Sequence, residues 1–253
     1  MKTLGIDIGS RNTKIVIFDH DANQIAFRDW ISTEVSAEDS VNKLLSHAEK
    51  QISLDEISST CVTGYGRKLY KKADKIRSEI SCHAKACHFL YPNTRTVIDI
   101  GGQDSKIIAL NEDGSVNDFV MNDKCAAGTG RFLEMTAIKL ECELSELSRL
   151  ASMAENHIHL NSTCVVFAES EIIGLLASGH KVPDIARAIN MSIARRIYTQ
   201  MSSIELKEAV IFTGGVAQGT DLVNCLANLL KTQILVPFDP EITGALGAAL
   251  YAL

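Results

Sequence analysis

The chain has 253 residues, 46% of them hydrophobic and 22% charged, with a formal net charge of −6. That length buries a full core in one large or two modest domains, and the acidic balance argues against a nucleic-acid binder, which carries a basic patch or stripe. No apolar run approaches the ~20 residues that span a bilayer, and seven cysteines without framework spacing read as free thiols or metal ligands rather than bridges.

The N-terminal "MKTLGIDIGS" enters a strand pattern at once and carries Asp7, so it does not read as a signal peptide. A soluble, cytoplasmic protein is the expectation. Residues 4–22, "LGIDIGSRNTKIVIFDHDA", give an apolar strand, an acid, a glycine turn and a second strand, as in a hairpin. A helical pattern follows near residues 36–51, then a short strand from Thr60 to Thr63 and a helix from about Glu79 to Leu90.

Residues 96–114, "TVIDIGGQDSKIIALNEDG", repeat the first segment without a gap at a constant offset of 92. Ile6, Asp7, Ile8, Gly9 and Lys14 recur as Ile98, Asp99, Ile100, Gly101 and Lys106. Helices are expected near 129–140, 144–154, 168–178 and 182–203. A strand in "EAVIFTGG" (208–215), a helix to about Leu230, a strand at Ile234 to Val236 and a closing helix from Ile242 complete the chain. Strands first and helices afterwards, twice over, predict a mixed α/β protein of two similar lobes facing one another.

An acid at a strand end beside a glycine turn suits magnesium phosphate chemistry. Glycine lets backbone N–H groups approach phosphate oxygens, and the carboxylate holds the metal through water. The first turn supplies Ser10, Arg11, Asn12, Thr13 and Lys14; the second supplies Gly101, Gly102, Gln103 and Asp104. A third turn, "FTGGVAQG" (212–219), follows a strand and opens a helix, so Gly214, Gly215 and Gln218 are placed to hold another part of a nucleotide. One such turn alone is commonplace and usually only a tight hairpin. Two at matched positions and a third after a strand point to phosphate held between two lobes, without a P-loop or a dinucleotide fingerprint.

"GIDIGSRNTK", "VIDIGGQDSK", "IFTGGVAQG" and "EITGALGAAL" resemble the phosphate 1, phosphate 2, adenosine and second connecting motifs of the sugar kinase, actin and heat-shock chaperone ATPase superfamily. "SEISCHAKACHFLYP" (78–92) sits where that fold's first connecting helix belongs. The resemblance implies a two-lobed actin-like ATPase fold with duplicated ribonuclease H-like lobes. Residues 1–93 plus 240–253 would form the N-terminal lobe, and residues 94–239 the C-terminal lobe. It also implies ATP or ADP in the cleft and magnesium near Asp7 and Asp99. From position in the duplicated turn, Gln103, or alternatively Asp104, would place the hydrolytic water, with Asp99 and Asp7 acting through the metal.

"NDKCAAGTGRF" and "NSTCVVFAESEI" (161–172) resemble a narrower group, the activators (component A) of 2-hydroxyacyl-CoA dehydratases and the ATPase subunits of benzoyl-CoA reductase. The resemblance implies a 4Fe–4S cluster shared across a homodimer and held by Cys125 and Cys164 of each subunit. It implies an ATP-driven electron donor, charged by ferredoxin or flavodoxin, that serves a dehydratase-like or reductase-like iron–sulfur enzyme in anaerobic metabolism. Both cysteines precede predicted helices, whose N–H groups and positive dipole end favour a thiolate. A cubane takes four thiolates, so two per chain call for a two-fold dimer.

Cys61, Cys142 and Cys225 sit in apolar patterns and read as small hydrophobes. In "CHAKACH", Cys82 and Cys87 are separated by about 140° on a helix, whereas His83 and Cys87 share a face. Packing of an interlobe helix is the expectation there rather than a metal site. His157 and His159 read as exposed loop residues. A small-molecule kinase of the same superfamily, or a nucleotide-switched binding protein, would account for the glycine turns but not for the cysteine motifs.

Overall fold

The computed structural model describes residues 1–162 and 164–253. The first sheet contains β1 (Lys2–Ile8), β2 (Asn12–Asp19), β3 (Gln24–Ser32), β4 (Ile57–Thr63) and β5 (Lys75–Ile76), in the order β3-β2-β1-β4-β5. Within this stretch α1 (Ala37–Glu49) and α2 (Glu79–Leu90) flank the strands. The second sheet contains β6 (Thr96–Ile100), β7 (Ser105–Leu110), β8 (Val116–Asn122), β9 (Val210–Thr213) and β10 (Ile234–Leu235), in the order β10-β9-β6-β7-β8. Around it lie α3 (Gly130–Lys139), α4 (Leu147–Ser152), α5 (Val165–Ala177), α6 (Val182–Met201) and α7 (Thr220–Leu230). Finally α8 (Thr243–Tyr251) returns to the first sheet.

The repeat in the sequence is a repeat in register. β1 and β2 pair antiparallel with Asp7 opposite Lys14, and β6 and β7 pair antiparallel with Asp99 opposite Lys106. In each sheet the first strand also takes a later parallel neighbour, β4 or β9. Read from its outer antiparallel strand, each sheet has the same topology. The central strands are apolar runs closed to solvent on both faces: Ile98, Ile100, Ile107 and Phe212 are buried in one core, and Ile6, Ile8, Ile15 and Ile17 in the other.

Local chemistry sets the helix ends. Ser36 caps α1 by accepting from the Asp39 N–H at 3.1 Å, and Ser78 caps α2 by accepting from Ser81 at 3.1 Å. Acids in each first turn (Glu38 and Asp39, then Glu79) favour the positive dipole end. Two glycines decide the packing of α8. A side chain at Gly5 would run into the Ala245 carbonyl on α8, and one at Gly247 would run into the Cys82 backbone of α2. Backbone therefore approaches backbone, and α2, which also touches β6, β7 and β8, connects the two sheets.

The strands β3, β5 and β8 and two helix boundaries depart from the sequence expectation. α5 begins at Val165 rather than near residue 168, the predicted helix near 144–154 is a short 3-10 turn followed by α4, and the three strands are not anticipated. β8 is an edge strand whose residues are mostly exposed, so its pattern carries no buried run. No helix among the described residues is long and apolar enough to cross a membrane.

Candidate functional site

Two acid–lysine pairs stand at equivalent strand ends. Lys14 Nζ lies 3.0 Å from Asp7 Oδ2, and Lys106 Nζ lies 3.3 Å from Asp99 Oδ2. Lys106 also reaches Asp104 at 2.7 Å and Glu79, at the start of α2, at 3.0 Å. Asp7, Asp99 and Lys106 are all buried, so the charges persist only because they are mutually compensated.

Asp99 has two further partners. The Thr213 hydroxyl donates to its Oδ1 at 3.1 Å, and His83 Nε2 lies 3.6 Å from its Oδ2. Burial works against the charged carboxyl, but His83, Lys106 and the Thr213 hydroxyl outweigh it and hold the pKa down at about 2. Burial likewise works against the Lys106 ammonium, and Asp99, Glu79 and Asp104 overcome it, raising its pKa. Lys14 behaves in the same way, with burial opposed by Asp7, Asp99 and Glu79. The attraction of Lys14 to Asp99 and Glu79 brings the two strand-end pairs into one electrostatic unit.

His83 was expected only as packing, and the structure places it in this unit. Its Nδ1 lies 3.0 Å from the Thr243 hydroxyl, which itself donates to the Pro240 carbonyl at 3.1 Å. Thr243 therefore accepts from Nδ1–H, and Nε2 faces Asp99. Glu79 and Thr213 were also absent from the predicted site. Their only sequence signal was position, a first-turn acid on the connecting helix and the residue before a glycine pair.

Glycines keep the surroundings of both carboxylates open. A Cβ at Gly244 would lie 2.9 Å from Asp7 Oδ2, and one at Gly214 would lie 3.0 Å from Asp99 Oδ1. Gly64 (φ +94) and Gly214 (φ +86) sit in the left-handed region, where a side chain is strained as well as obstructed. The oxygen-only donors Asp7 and Asp99, approached by backbone without side chains, fit a hard divalent cation bound through water.

The other expected nucleotide ligands divide into groups. Gly101 and Gly102 form the second turn, with Gln103 exposed on it and Asp104 occupied by Lys106. Ser10 is exposed on the first turn, and Asn12 begins β2. Arg11 instead reaches across to Glu134 on α3, with nitrogens at 2.9 and 3.0 Å. Thr13 is buried and meets the Thr33 hydroxyl at 3.0 Å, so its side chain serves the sheet. Gly215 leads into a short 3-10 turn, in which Gln218 donates to Glu241 at 3.0 Å. Beside Gln218 opens a cavity of about 420 Å³, lined also by Ala217, Val223, Val236 and the exposed Phe238 ring. It is apolar with few polar groups, as ligand pockets commonly are.

α3 joins the second turn directly. The N–H of Gly130 donates to the Gly101 carbonyl, and that of Arg131 to the Gly102 carbonyl, both at 2.9 Å. Five residues before Gly130 lies Cys125. It stands ahead of α3, as expected, and Thr129 is the residue that precedes the helix. Cys164 stands immediately before its helix, at the N-cap position of α5. Both thiols are free and partly exposed, whereas Cys61, Cys82, Cys87 and Cys225 are buried. Burial pushes the Cys82 thiol up to about 12 and Cys225 up to about 11, so neither is disposed to bind metal. Among the described residues no group of three or more histidine, cysteine or acidic side chains could hold a metal ion. Cys142 is also partly exposed but packs against the core of the second sheet, and Cys125 and Cys164 alone suit a thiolate cluster only if a second subunit completes the set.

The match of this chain to the model of the BadF/BadG/BcrA/BcrD ATPase family runs from residue 4 to residue 252. The activator of lactoyl-CoA dehydratase from Anaerotignum propionicum is 44% identical over 253 residues, covering 100% of this chain and 97% of that protein. The solved activator of the 2-hydroxyisocaproyl-CoA dehydratase from Clostridium difficile, with bound ADPNP, superposes with a TM-score of 0.93 at 42% identity, over 100% of this chain and 94% of that one. A ROK family glucokinase from Streptomyces griseus superposes with a TM-score of 0.62 at 14% identity, over 100% and 99% of the two chains, and shares the fold alone. On this full-length match the chain belongs to the BadF/BadG/BcrA/BcrD ATPase family.

Proposed function

We propose that this protein is an ATP-driven electron donor that activates a partner iron–sulfur enzyme of the 2-hydroxyacyl-CoA dehydratase type. It would work as a homodimer, with Cys125 and Cys164 of each subunit holding one 4Fe–4S cluster between them. Its electrons would come from a ferredoxin or flavodoxin. When bound, the cluster supplies one low-potential electron. The observation that carries the proposal is the pair of hydrogen bonds from the start of α3 to Gly101 and Gly102, because α3 continues back into the Cys125 loop. The names of the relatives support the choice of partner.

In this reading residues 1–93 with 240–253, and residues 94–239, form the lobes that close on ATP. Backbone N–H groups of the glycine turns cradle the phosphates, and Asp7 and Asp99 hold magnesium through water. The cavity beside Gln218 receives the base, within reach of the Phe238 ring. Gln103 places the attacking water, since Asp104 is committed to Lys106. Lowering a one-electron potential by ~300 mV costs roughly 7 kcal/mol, which calls for differential affinity of about five powers of ten between two states. Nucleotide-driven closure acting on α3 is a device of that kind.

Iron, sulfide and native mass, measured on protein purified without oxygen, test the cluster. About four irons per dimer, lost in Cys125→Ser, is the expected result. An iron-free monomer with undiminished ATPase activity would remove the electron-transfer reading and leave phosphoryl transfer to a small molecule in its place.

A further inference from the structure

The segment between β8 and α3 is held on two sides. The Asn122 side chain accepts from the Cys125 N–H at 3.2 Å and donates to the Cys125 carbonyl at 2.9 Å, which fixes the peptide. On the sulfur side, an Arg196 guanidinium nitrogen lies 3.8 Å from Cys125 Sγ. Gly128 permits that approach. Its φ is +89, and a Cβ there would come within 2.8 Å of Arg196 Cδ.

The two partners come from different elements of one lobe, since Phe132 and Leu133 of α3 are buried in the same core as α6. Arg196 belongs to α6, a helix of 20 residues whose Ile185, Ile189, Ile193 and Ile197 are buried in the core of the second sheet. Cys125 belongs to a loop that runs into α3, and the first N–H groups of α3 are bonded to the Gly101–Gly102 turn. A displacement of that turn acts on α3 and the Cys125 loop through these hydrogen bonds, and on α6 only through side-chain packing, so it changes the distance from sulfur to guanidinium.

We propose that Arg196 is a positioning residue that sets the reduction potential at Cys125, and that its distance from the sulfur is what the second glycine turn adjusts. The proposal rests on the reading of Cys125 as a cluster ligand. Reduction adds one negative charge to a thiolate-bound centre. A permanently charged donor at a ligand sulfur favours the reduced form and raises the potential, while withdrawal of the donor lowers it. Cluster potentials respond to hydrogen bonds at sulfur and to net charge, so the lever is of a known physical kind.

The experiment compares wild type, Arg196→Gln and Arg196→Lys, purified anaerobically as dimers. Iron per dimer is measured first, and then the midpoint potential by EPR-monitored titration, with and without a non-hydrolysable ATP analogue. Arg196→Gln is expected to keep its iron and to show a midpoint more negative by a tenfold change in the reduction equilibrium, about 59 mV for one electron. Its response to the analogue should be smaller than that of wild type. Arg196→Lys, which keeps the charge, should recover most of both. If Arg196→Gln loses its iron, Arg196→Lys decides: iron retained with a near-wild-type midpoint supports the proposal, and iron lost overturns it. A wild-type midpoint in iron-loaded Arg196→Gln overturns it too, as does an Arg196→Lys midpoint as low as that of the glutamine variant. Iron missing from wild type itself would remove the ligand reading, and the proposal with it.

Discussion

Gly130 donates its N–H to the carbonyl of Gly101 at 2.9 Å, so the helix that follows the Cys125 loop starts on the turn expected to bind phosphate. The first turn reaches the same helix through the Arg11–Glu134 ion pair. Both copies of the repeated motif thus meet α3, which makes it the element best placed to report nucleotide to the cysteines.

Gln103→Ala should slow ATP hydrolysis by roughly a hundredfold while leaving nucleotide affinity within a few fold. The side chain is exposed on the turn, whereas neighbouring Asp104 is tied to Lys106. Steady-state hydrolysis together with equilibrium binding of a fluorescent ATP analogue checks this. Hydrolysis at the wild-type rate would move the water-positioning role elsewhere.

The buried charge network predicts a specific loss of stability in acid. The Asp99 pKa is depressed to about 2 in the folded protein, from an ordinary value of 3.8. Its contribution, roughly 2 kcal/mol, is therefore fully present above about pH 4 and is lost as pH falls toward 2. Urea denaturation from pH 5 to pH 2.5 should show a steeper decline for wild type than for Asp99→Asn, in which Asp184 and Glu171, whose pKa values are also lowered, still contribute. Lys106→Met should cost about 3–5 kcal/mol at neutral pH, because it leaves a buried carboxylate short of its counter-charge.

Gly214→Ala should destabilise by roughly 1–3 kcal/mol from backbone strain alone, and further from collision with the Ile100 carbonyl. The same change brings a methyl group toward Asp99 Oδ1, so magnesium-dependent nucleotide binding should weaken as well. Denaturation midpoints and binding titrations with and without magnesium separate the two effects.

What the sequence displays of the site depends on where each partner comes from. Asp7 and Asp99 stood out because a repeated segment of sequence returns as an identical strand register, and their paired lysines fell in the same repeat. His83 and Glu79 were not legible as site residues. Their partners are contributed by β6, β7 and the start of α8, and only tertiary packing brings these to α2. Thr13 stands in the first turn's motif, but its contact with the Thr33 hydroxyl just after β3 is set by strand pairing that the sequence does not display. The motif around Cys125 and the start of α3 near residue 129 are legible in the sequence, whereas the start of α5 directly after Cys164 is not.

Accessibility separates the thiols. In cluster-free protein, iodoacetamide should modify Cys125, Cys142 and Cys164 well before Cys61, Cys82, Cys87 and Cys225, which are buried. Peptide mapping over a time course reads the order. Early labelling of Cys82 or Cys87 would contradict the packing of α2 against α8.

The most direct test of the account is electron delivery itself. The protein, reduced without oxygen, is mixed with a cluster-containing 2-hydroxyacyl-CoA dehydratase, and the EPR signal of its own cluster is followed with ATP, with a non-hydrolysable analogue and without nucleotide. The account predicts that the signal disappears and the dehydratase becomes active only with hydrolysable ATP. Transfer that proceeds equally well without nucleotide, or a cluster that stays reduced in all three mixtures, would contradict it.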